Sequence, residues 1–251
     1  MAHTLLALKP PRFATAAVAA AVLLVVSVAS LRATLPDDIV APSYRLSIAN
    51  DPFWRTLFHT LSSQGGIHSQ FEELRFLPIR KRPVVLTGEM RLSPDRGLSL
   101  HYLKPEESCV MIDSRGIAFR DASGRVHEVG SDPRARGATS TLLQVMRFDP
   151  AVLERDFTVY GARDGIAWQV AFEPKPEAAA RDISLGRIIV RGQEDAVLLI
   201  EFRRSDRQRI EIHVGPTRTG VTFSREELAA WFRPRADSSA IPLPAPPQPD
   251  H

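Results

Sequence analysis

The sequence lacks most of the features by which enzymes and metalloproteins are recognised. Its 251 residues include a single cysteine, Cys109, so no intramolecular disulfide can hold the fold. None of the seven histidines falls into a zinc-binding spacing. There is no nucleophile-elbow, P-loop or dinucleotide-binding motif. Cys109, with His101 nearby in the sequence, is more typical of a small buried side chain at a strand start than of a nucleophile. We therefore expect no enzymatic activity, no cofactor and no metal.

Acidic residues are absent from the first 33 positions, which contain the basic residues Lys9, Arg12 and Arg32. The whole chain has a formal net charge of +3, so the rest of it is formally neutral. A neutral domain gives no support for nucleic acid or another polyanion as a partner.

An apolar run without charge lies between these basic residues, at positions 13–31. Basic residues followed by such a run are typical of a secretory signal. At ~1.5 Å per residue the run would extend about 28 Å in a helix, so an uncleaved membrane anchor is the alternative. In both cases we expect the rest of the chain to be exported.

The composition divides the chain into four parts. We expect a signal peptide or signal anchor at 1–33, a polar lead-in linker at 34–50 and one patterned domain at 51–232. The last part, 233–251, is a proline-rich segment that we expect to be a disordered tail.

Helix signals occur at three places in the patterned domain. Asp51 followed by Pro52 predicts a capped helix that ends before Gly65. Two short helices are predicted over 141–147 and 149–155, and a last one begins at Ser224.

Alternating apolar residues predict about ten short strands between the helices. The sequence Asp164-Gly165 is a strong hairpin signal, and Arg115-Gly116 and Ser123-Gly124 also suit tight turns. The predicted fold class is mainly β with short α: a long antiparallel sheet that must either close or curl and be covered on one face by helices. The predicted strands span 71–77, 84–92, 98–103, 110–113, 117–121, 125–129, 157–161, 166–173, 183–191, 196–203 and 209–214.

Several short motifs follow one another over about 51–225: Phe71-Glu72-Glu73, Gly88-Glu89-Met90, Pro94, Leu98 to Tyr102, Pro105 to Ser108, Asp113 to Gly116, the helical pair near 141–155, and Asp164-Gly165. Their order and spacing resemble the LolA family of periplasmic lipoprotein carriers.

The resemblance implies an unclosed antiparallel half-barrel covered by lid helices, with an apolar cavity that takes acyl chains. It implies a monomeric periplasmic carrier whose partners are a lipoprotein or lipid, an inner-membrane donor and an outer-membrane acceptor. In the family an arginine tied to cargo release precedes the proline, whereas this chain has Ser93 there and Arg96 nearby.

On this basis we expect the following residues to line the acyl cavity: Leu57, Leu98, Leu100, Tyr102, Leu142, Val145, Met146, Trp168 and Phe172. For each of them a plain core position is the alternative. The candidates for polar contacts with the lid or a partner are Arg80, Lys81, Arg82 and Arg96, although the basic run could also be a solvated turn.

A second functional hypothesis is a membrane-anchored regulatory domain that senses lipids or lipoproteins. It differs from the carrier in keeping residues 13–31 as an anchor. A third hypothesis is a hydrolase of lipid or cell wall. The sequence contains no recognisable set of residues that would activate a nucleophile for this reaction.

Overall fold

The computed structural model describes residues 35–129, 143, 145–177 and 186–234. The predicted signal at 1–33, Leu142 and the tail beyond Pro234 lie outside the described residues. Within the described ranges no helix has the length and apolar character needed to cross a membrane.

Helix α1 (Pro52–Ser62) begins where the sequence predicts it. The Asp51 carboxylate accepts hydrogen bonds from the backbone N–H groups of Phe53 at 2.9 Å and Trp54 at 3.3 Å. One face of the helix is buried, through Trp54, Leu57, Phe58 and Leu61. The amphipathic pattern therefore directs this helix onto the sheet.

Two shorter helices are also capped as predicted. Asp149 accepts a hydrogen bond from Ala151 N at 3.0 Å at the start of helix α2 (Pro150–Asp156). Ser224 and Glu227 form a capping box at the start of helix α3 (Arg225–Trp231).

In the described residues twelve strands form one antiparallel sheet; eleven of them fall at the predicted strand ranges, and the additional one is β1. Along the sheet their order is β1-β8-β9-β10-β11-β12-β2-β3-β4-β5-β6-β7. Strands β1 and β7 stand at its two ends and are not paired with each other, so the sheet is open, as expected. The strands are β1 (Arg45–Leu46), β2 (Ile67–Phe76), β3 (Val84–Ser93), β4 (Gly97–Lys104), β5 (Ser108–Asp113), β6 (Gly116–Arg120), β7 (Val126–Val129), β8 (Phe157–Asp164), β9 (Ala167–Pro174), β10 (Arg187–Gln193), β11 (Ala196–Ser205) and β12 (Gln208–Arg218).

One face of the sheet, here called the inner face, carries the hydrophobic core. Its side chains alternate along each strand, for example Trp168, Val170 and Phe172 on β9, and they pack with the buried face of α1 in one cluster. The Phe172 ring centroid lies 6.4 Å from that of Phe58 and 5.9 Å from that of Phe157. These edge-on ring pairs fix α1 and β8 to the middle of the sheet.

The opposite face, here called the outer face, is covered in two places by segments near the chain ends. Ile39 packs with Ala171 and Ile189 on β9 and β10. At the other side of the sheet, α3 lies over β3 to β5, and the Trp231 ring is 4.4 Å from both the Arg91 guanidinium carbon and the His101 ring centroid.

The segment 34–50 differs from the linker that the sequence predicts. Ile39 and Ile48 are buried, and Arg45–Leu46 forms the edge strand β1 against Tyr160 and Val159 of β8. The described part of this segment therefore packs with the domain. The sequence does not indicate this packing, because the segment is polar in composition and only isolated apolar side chains make the contacts.

Candidate functional site

A cavity of about 200 Å³ lies on the inner face, beyond the carboxyl end of α1. It opens to solvent between the β10–β11 turn and the end of β12. Its floor is apolar and its rim polar, so it can separate a hydrocarbon chain from a polar head. The floor is formed by Ile67, Met90, Met146, Phe148, Val197, Ile200 and Val214, and the rim by Gln64, Asp195, Thr217 and Thr219.

The rim is held by hydrogen bonds between segments that are distant in the sequence. Gln64, just after α1, donates from Nε2 to the backbone oxygen of Asp195 at 2.8 Å. The backbone oxygen of Gln64 accepts from Gly220 N, also at 2.8 Å. These bonds fix one side of the cavity mouth to the sheet.

The other side of the cavity is closed by the helical residues 145–147 and by Phe148. The Phe148 ring lies 5.7 Å from that of Phe58 on α1. Phe148 has a φ of 51°, which places a bulky side chain in the left-handed region at a cost of about 1–3 kcal/mol. Residues 145–148, here called the covering segment, thus end in a strained residue whose ring lines the cavity.

Among the predicted cavity residues, the described ones all belong to the single inner-face cluster. Of these, Met146 lines the cavity, and the others pack in the core beside it. Leu142 lies outside the described residues. The core residues are Leu57, Leu98, Leu100, Tyr102, Val145, Trp168 and Phe172.

The predicted polar contacts lie elsewhere. Arg80, Lys81 and Arg82 are exposed in the β2–β3 loop. This loop is at the far end of β2 from the cavity residue Ile67, and a strand of this length at ~3.3 Å per residue separates them by about 30 Å. Arg96 lies in the β3–β4 turn. A different arginine, Arg147 of the covering segment, contacts this turn, with its Nη2 3.4 Å from Pro94 O.

Sequence reasoning missed most of the cavity lining. Met90 and Val214 stand at alternating positions of predicted strands. The pattern predicts these strands, but it does not indicate that the two side chains line a cavity. Gln64, Asp195 and Thr219 stand in turns, and no pattern in the sequence indicates that these turns meet.

A buried polar group adjoins the apolar part of the inner face. Tyr102 donates from its hydroxyl to Glu73 Oε2 at 2.6 Å, and Arg75 also binds the Glu73 carboxylate. Burial, and then the neighbouring Glu73 charge, raises the pKa of Tyr102 well above its usual range. The phenol therefore stays protonated and remains a donor to the carboxylate.

Cys109 lies on the outer face beneath α3, where it is buried. Its Sγ is 3.3 Å from Ser99 Oγ and 3.9 Å from Trp231 O. Burial raises the pKa of the thiol, which disfavours the thiolate that a nucleophile requires. In the described ranges no group of three His, Cys, Asp or Glu side chains is placed to hold a metal ion.

The outer face carries a larger, shallower groove of about 540 Å³. It lies over β12, β2 and β3, and polar side chains such as Gln70, Glu72 and Thr87 line it together with His213. Its lining is mixed, because Phe71, Leu103 and Val214 also contribute to it.

No protein-family model matches the sequence, and no curated protein matches it. Several solved structures are similar in fold. An outer membrane lipoprotein-sorting protein domain from Vibrio parahaemolyticus is 9% identical, with a TM-score of 0.42 over 75% of this chain and 97% of that one. A LolA superfamily protein from Nitrosomonas europaea is 5% identical, with a TM-score of 0.37 over 69% of this chain and 96% of that one.

The Pseudomonas aeruginosa complex of MucA and MucB is also similar, at 16% identity and a TM-score of 0.40, over 69% of this chain and 59% of that one. At these identities and TM-scores the likenesses carry no argument about the family or the function of this chain.

Proposed function

We propose that this protein is a periplasmic carrier that buries the acyl chain of a lipoprotein or lipid between the inner face and residues 145–148, for transfer towards the outer membrane. The observation that supports the proposal is the inner-face cavity, with its apolar floor and its solvent-exposed polar rim. This is the arrangement that a ligand with a hydrocarbon chain and a polar head requires.

The chemistry of the cavity floor suits a pliable ligand. Met90 and Met146 have flexible thioether side chains that fill irregular space, and Phe148 adds a flat apolar surface. Each methylene buried there would gain about 0.8 kcal/mol. Binding of this kind needs no directional contact, so chains of different length can share one site.

The cavity is smaller than the roughly 300–1,000 Å³ of sites that enclose a whole small molecule. A long chain therefore enters fully only if the covering segment moves. The strained conformation of Phe148 supports movement at this point, because release of that residue would relieve the strain.

A cavity-filling variant tests the proposal. Val197→Trp places an indole in the cavity, whereas Leu198→Trp changes the neighbouring residue, which is 46% exposed and does not line it. We expect Val197→Trp to weaken binding of a dansyl-labelled undecanoic acid by at least about tenfold, the factor that 1.4 kcal/mol represents. Leu198→Trp should bind within about twofold of the parent.

Thermal unfolding of both variants is the control for folding. If Val197→Trp keeps the unfolding midpoint of the parent and binds the probe equally well, the cavity is not the acyl site. The membrane-anchored sensing domain is distinguished separately, by N-terminal sequencing of the exported protein: a carrier begins after the apolar run 13–31, and an anchored sensor retains it.

A further inference from the structure

The end of the sheet opposite the cavity carries an unusual combination of apolar and basic side chains. Seven large hydrophobic side chains are exposed in the described residues, and four of them, Leu77, Ile79, Val85 and Leu103, lie near this end. Ile79 is 91% exposed. A concentration of exposed apolar side chains at one place marks an interaction surface.

The geometry of the β2–β3 loop presents Ile79 outward. Arg80 N donates to Leu77 O at 3.0 Å, which closes a tight turn with Pro78 and Ile79 at its centre. Proline at the first central position of such a turn fixes its backbone angle and reduces the freedom of the loop. Ile79 is thus held at the apex in the folded state.

Basic side chains surround this apex. Arg80, Lys81 and Arg82 follow directly and are exposed. Because Arg209 pairs with Phe76, the β11–β12 turn lies beside this loop, and it adds the exposed Arg204 and Arg207.

Acidic side chains near this end are fewer. Asp206 stands in the β11–β12 turn, with its carboxylate 3.9 Å from Arg203 Nη1. Glu106 and Glu107 stand in the β4–β5 loop, and Glu107 contacts His101 at 3.1 Å. The β2–β3 loop itself contains no acidic residue.

We propose that this end of the molecule, here called the basic tip and defined by Ile79 to Arg82 with Arg204 and Arg207, docks onto an anionic membrane surface. An apolar side chain at an apex enters the boundary of the hydrocarbon region, while adjacent Lys and Arg side chains stay among the headgroups. Each cation near an anionic leaflet strengthens attachment about fivefold, and several are needed for stable docking. The docking proposal does not depend on the nature of the cargo, so it can hold even if the carrier proposal fails.

The test places a tryptophan at the apex of the full chain. In Ile79→Trp the indole should be quenched by vesicles of phosphatidylglycerol with brominated acyl chains, and its emission should shift to the blue. The matched control is Ile166→Trp, in the β8–β9 turn at the cavity end, where the native side chain is 53% exposed. Its indole should stay unquenched. Both signals are taken as differences from the parent protein, which already contains Trp54, Trp168 and Trp231, so the readout is local and independent of attachment through the N-terminal apolar run.

Charge removal completes the test. In the Ile79→Trp background, changing Arg80, Lys81 and Arg82 to Gln should raise the lipid concentration needed for half-maximal quenching by about 100-fold. Changing the exposed Arg45, Arg55 and Arg225 to Gln should leave it within about threefold.

Vesicles of phosphatidylcholine should also abolish the quenching, because their surface carries no net charge. Salt at 1 M should have the same effect on anionic vesicles, since the screening length falls to about 3 Å. Equal quenching at positions 79 and 166, or no quenching at 79 on anionic vesicles, would overturn the proposal. The second outcome would instead direct attention to an acidic protein as the partner of the basic tip.

Discussion

The inner face of the sheet buries rings and aliphatic side chains such as Trp168, Phe172 and Leu100, whereas the outer face buries Arg91, Ser99 and His101 beneath α3. Apart from the hydrogen bond between Tyr102 and Glu73, contacts in the inner-face core are non-directional, so a hydrocarbon chain can replace protein atoms there at little cost. The contacts beneath α3 on the outer face depend on charge and ring orientation. A ligand could not replace them without reproducing their geometry, and this difference explains why the apolar cavity is on the inner face.

The largest effect should follow truncation in the inner-face core. Phe172→Ala removes a fully buried ring that lies against Phe58 and Phe157, and should lower the free energy of unfolding by about 3–5 kcal/mol. Urea denaturation measures this loss. Ile166→Ala, at an exposed turn, is the control and should cost less than about 0.5 kcal/mol. A small loss at Phe172 would mean that the inner face is loosely packed even without ligand.

A buried polar contact on the inner face should give a smaller but pH-dependent effect. Tyr102→Phe removes a donor to the buried Glu73 carboxylate and should cost about 1–3 kcal/mol at neutral pH. Because the folded state raises the pKa of Tyr102, the tyrosine's contribution is complete below about pH 10 and is lost as the pH rises further. The difference between the two proteins should therefore narrow above pH 10. A difference that widens there would contradict the assigned hydrogen bond.

The outer-face cover can be loosened separately. Trp231→Ala removes the ring between Arg91 and His101 and should cost about 0.5–2 kcal/mol. The sharper measurement is the reaction rate of Cys109 with a thiol reagent, because its Sγ is buried beneath this segment. We expect about a tenfold increase for each 1.4 kcal/mol lost from the contact. An unchanged rate would show that α3 does not protect the thiol.

The smallest effect should come from an ion pair that ties the N-terminal segment to the outer face. Arg187→Gln breaks the 2.9 Å contact with Asp38, whose side chain is largely exposed, and should cost at most about 1 kcal/mol. A backbone hydrogen bond from Val40, and then Arg187, lowers the pKa of Asp38, so any contribution is present above its unfolded pKa and is lost in acid. Unfolding measured in low and high salt should show the loss only in low salt. A loss that persists in high salt would indicate a packing role for Arg187.

The same comparison separates what the sequence could predict from what it could not. Alternation at Leu98, Leu100 and Tyr102 predicts both the strand and its buried side, because the period of side chains in a strand is fixed. Helix starts at Asp51, Asp149 and Ser224 were predictable because capping is a local interaction.

Features that depend on distant contacts could not be predicted in this way. Strand β1 has two residues, too few for a pattern, and it exists because β8 lies beside it. The cavity joins residues as far apart in the sequence as Gln64 and Thr219. The left-handed conformation of Phe148 has no local signal, since phenylalanine is not favoured there.

Native mass spectrometry of the protein purified from its own cell envelope tests the central claim most directly. If the inner-face cavity carries an acyl ligand, the intact protein should appear with an added mass that matches a lipid or a lipidated protein. Val197→Trp should lose this added mass and Leu198→Trp should keep it. A parent protein that arrives empty, and that also takes up no fatty-acid probe, would contradict the account.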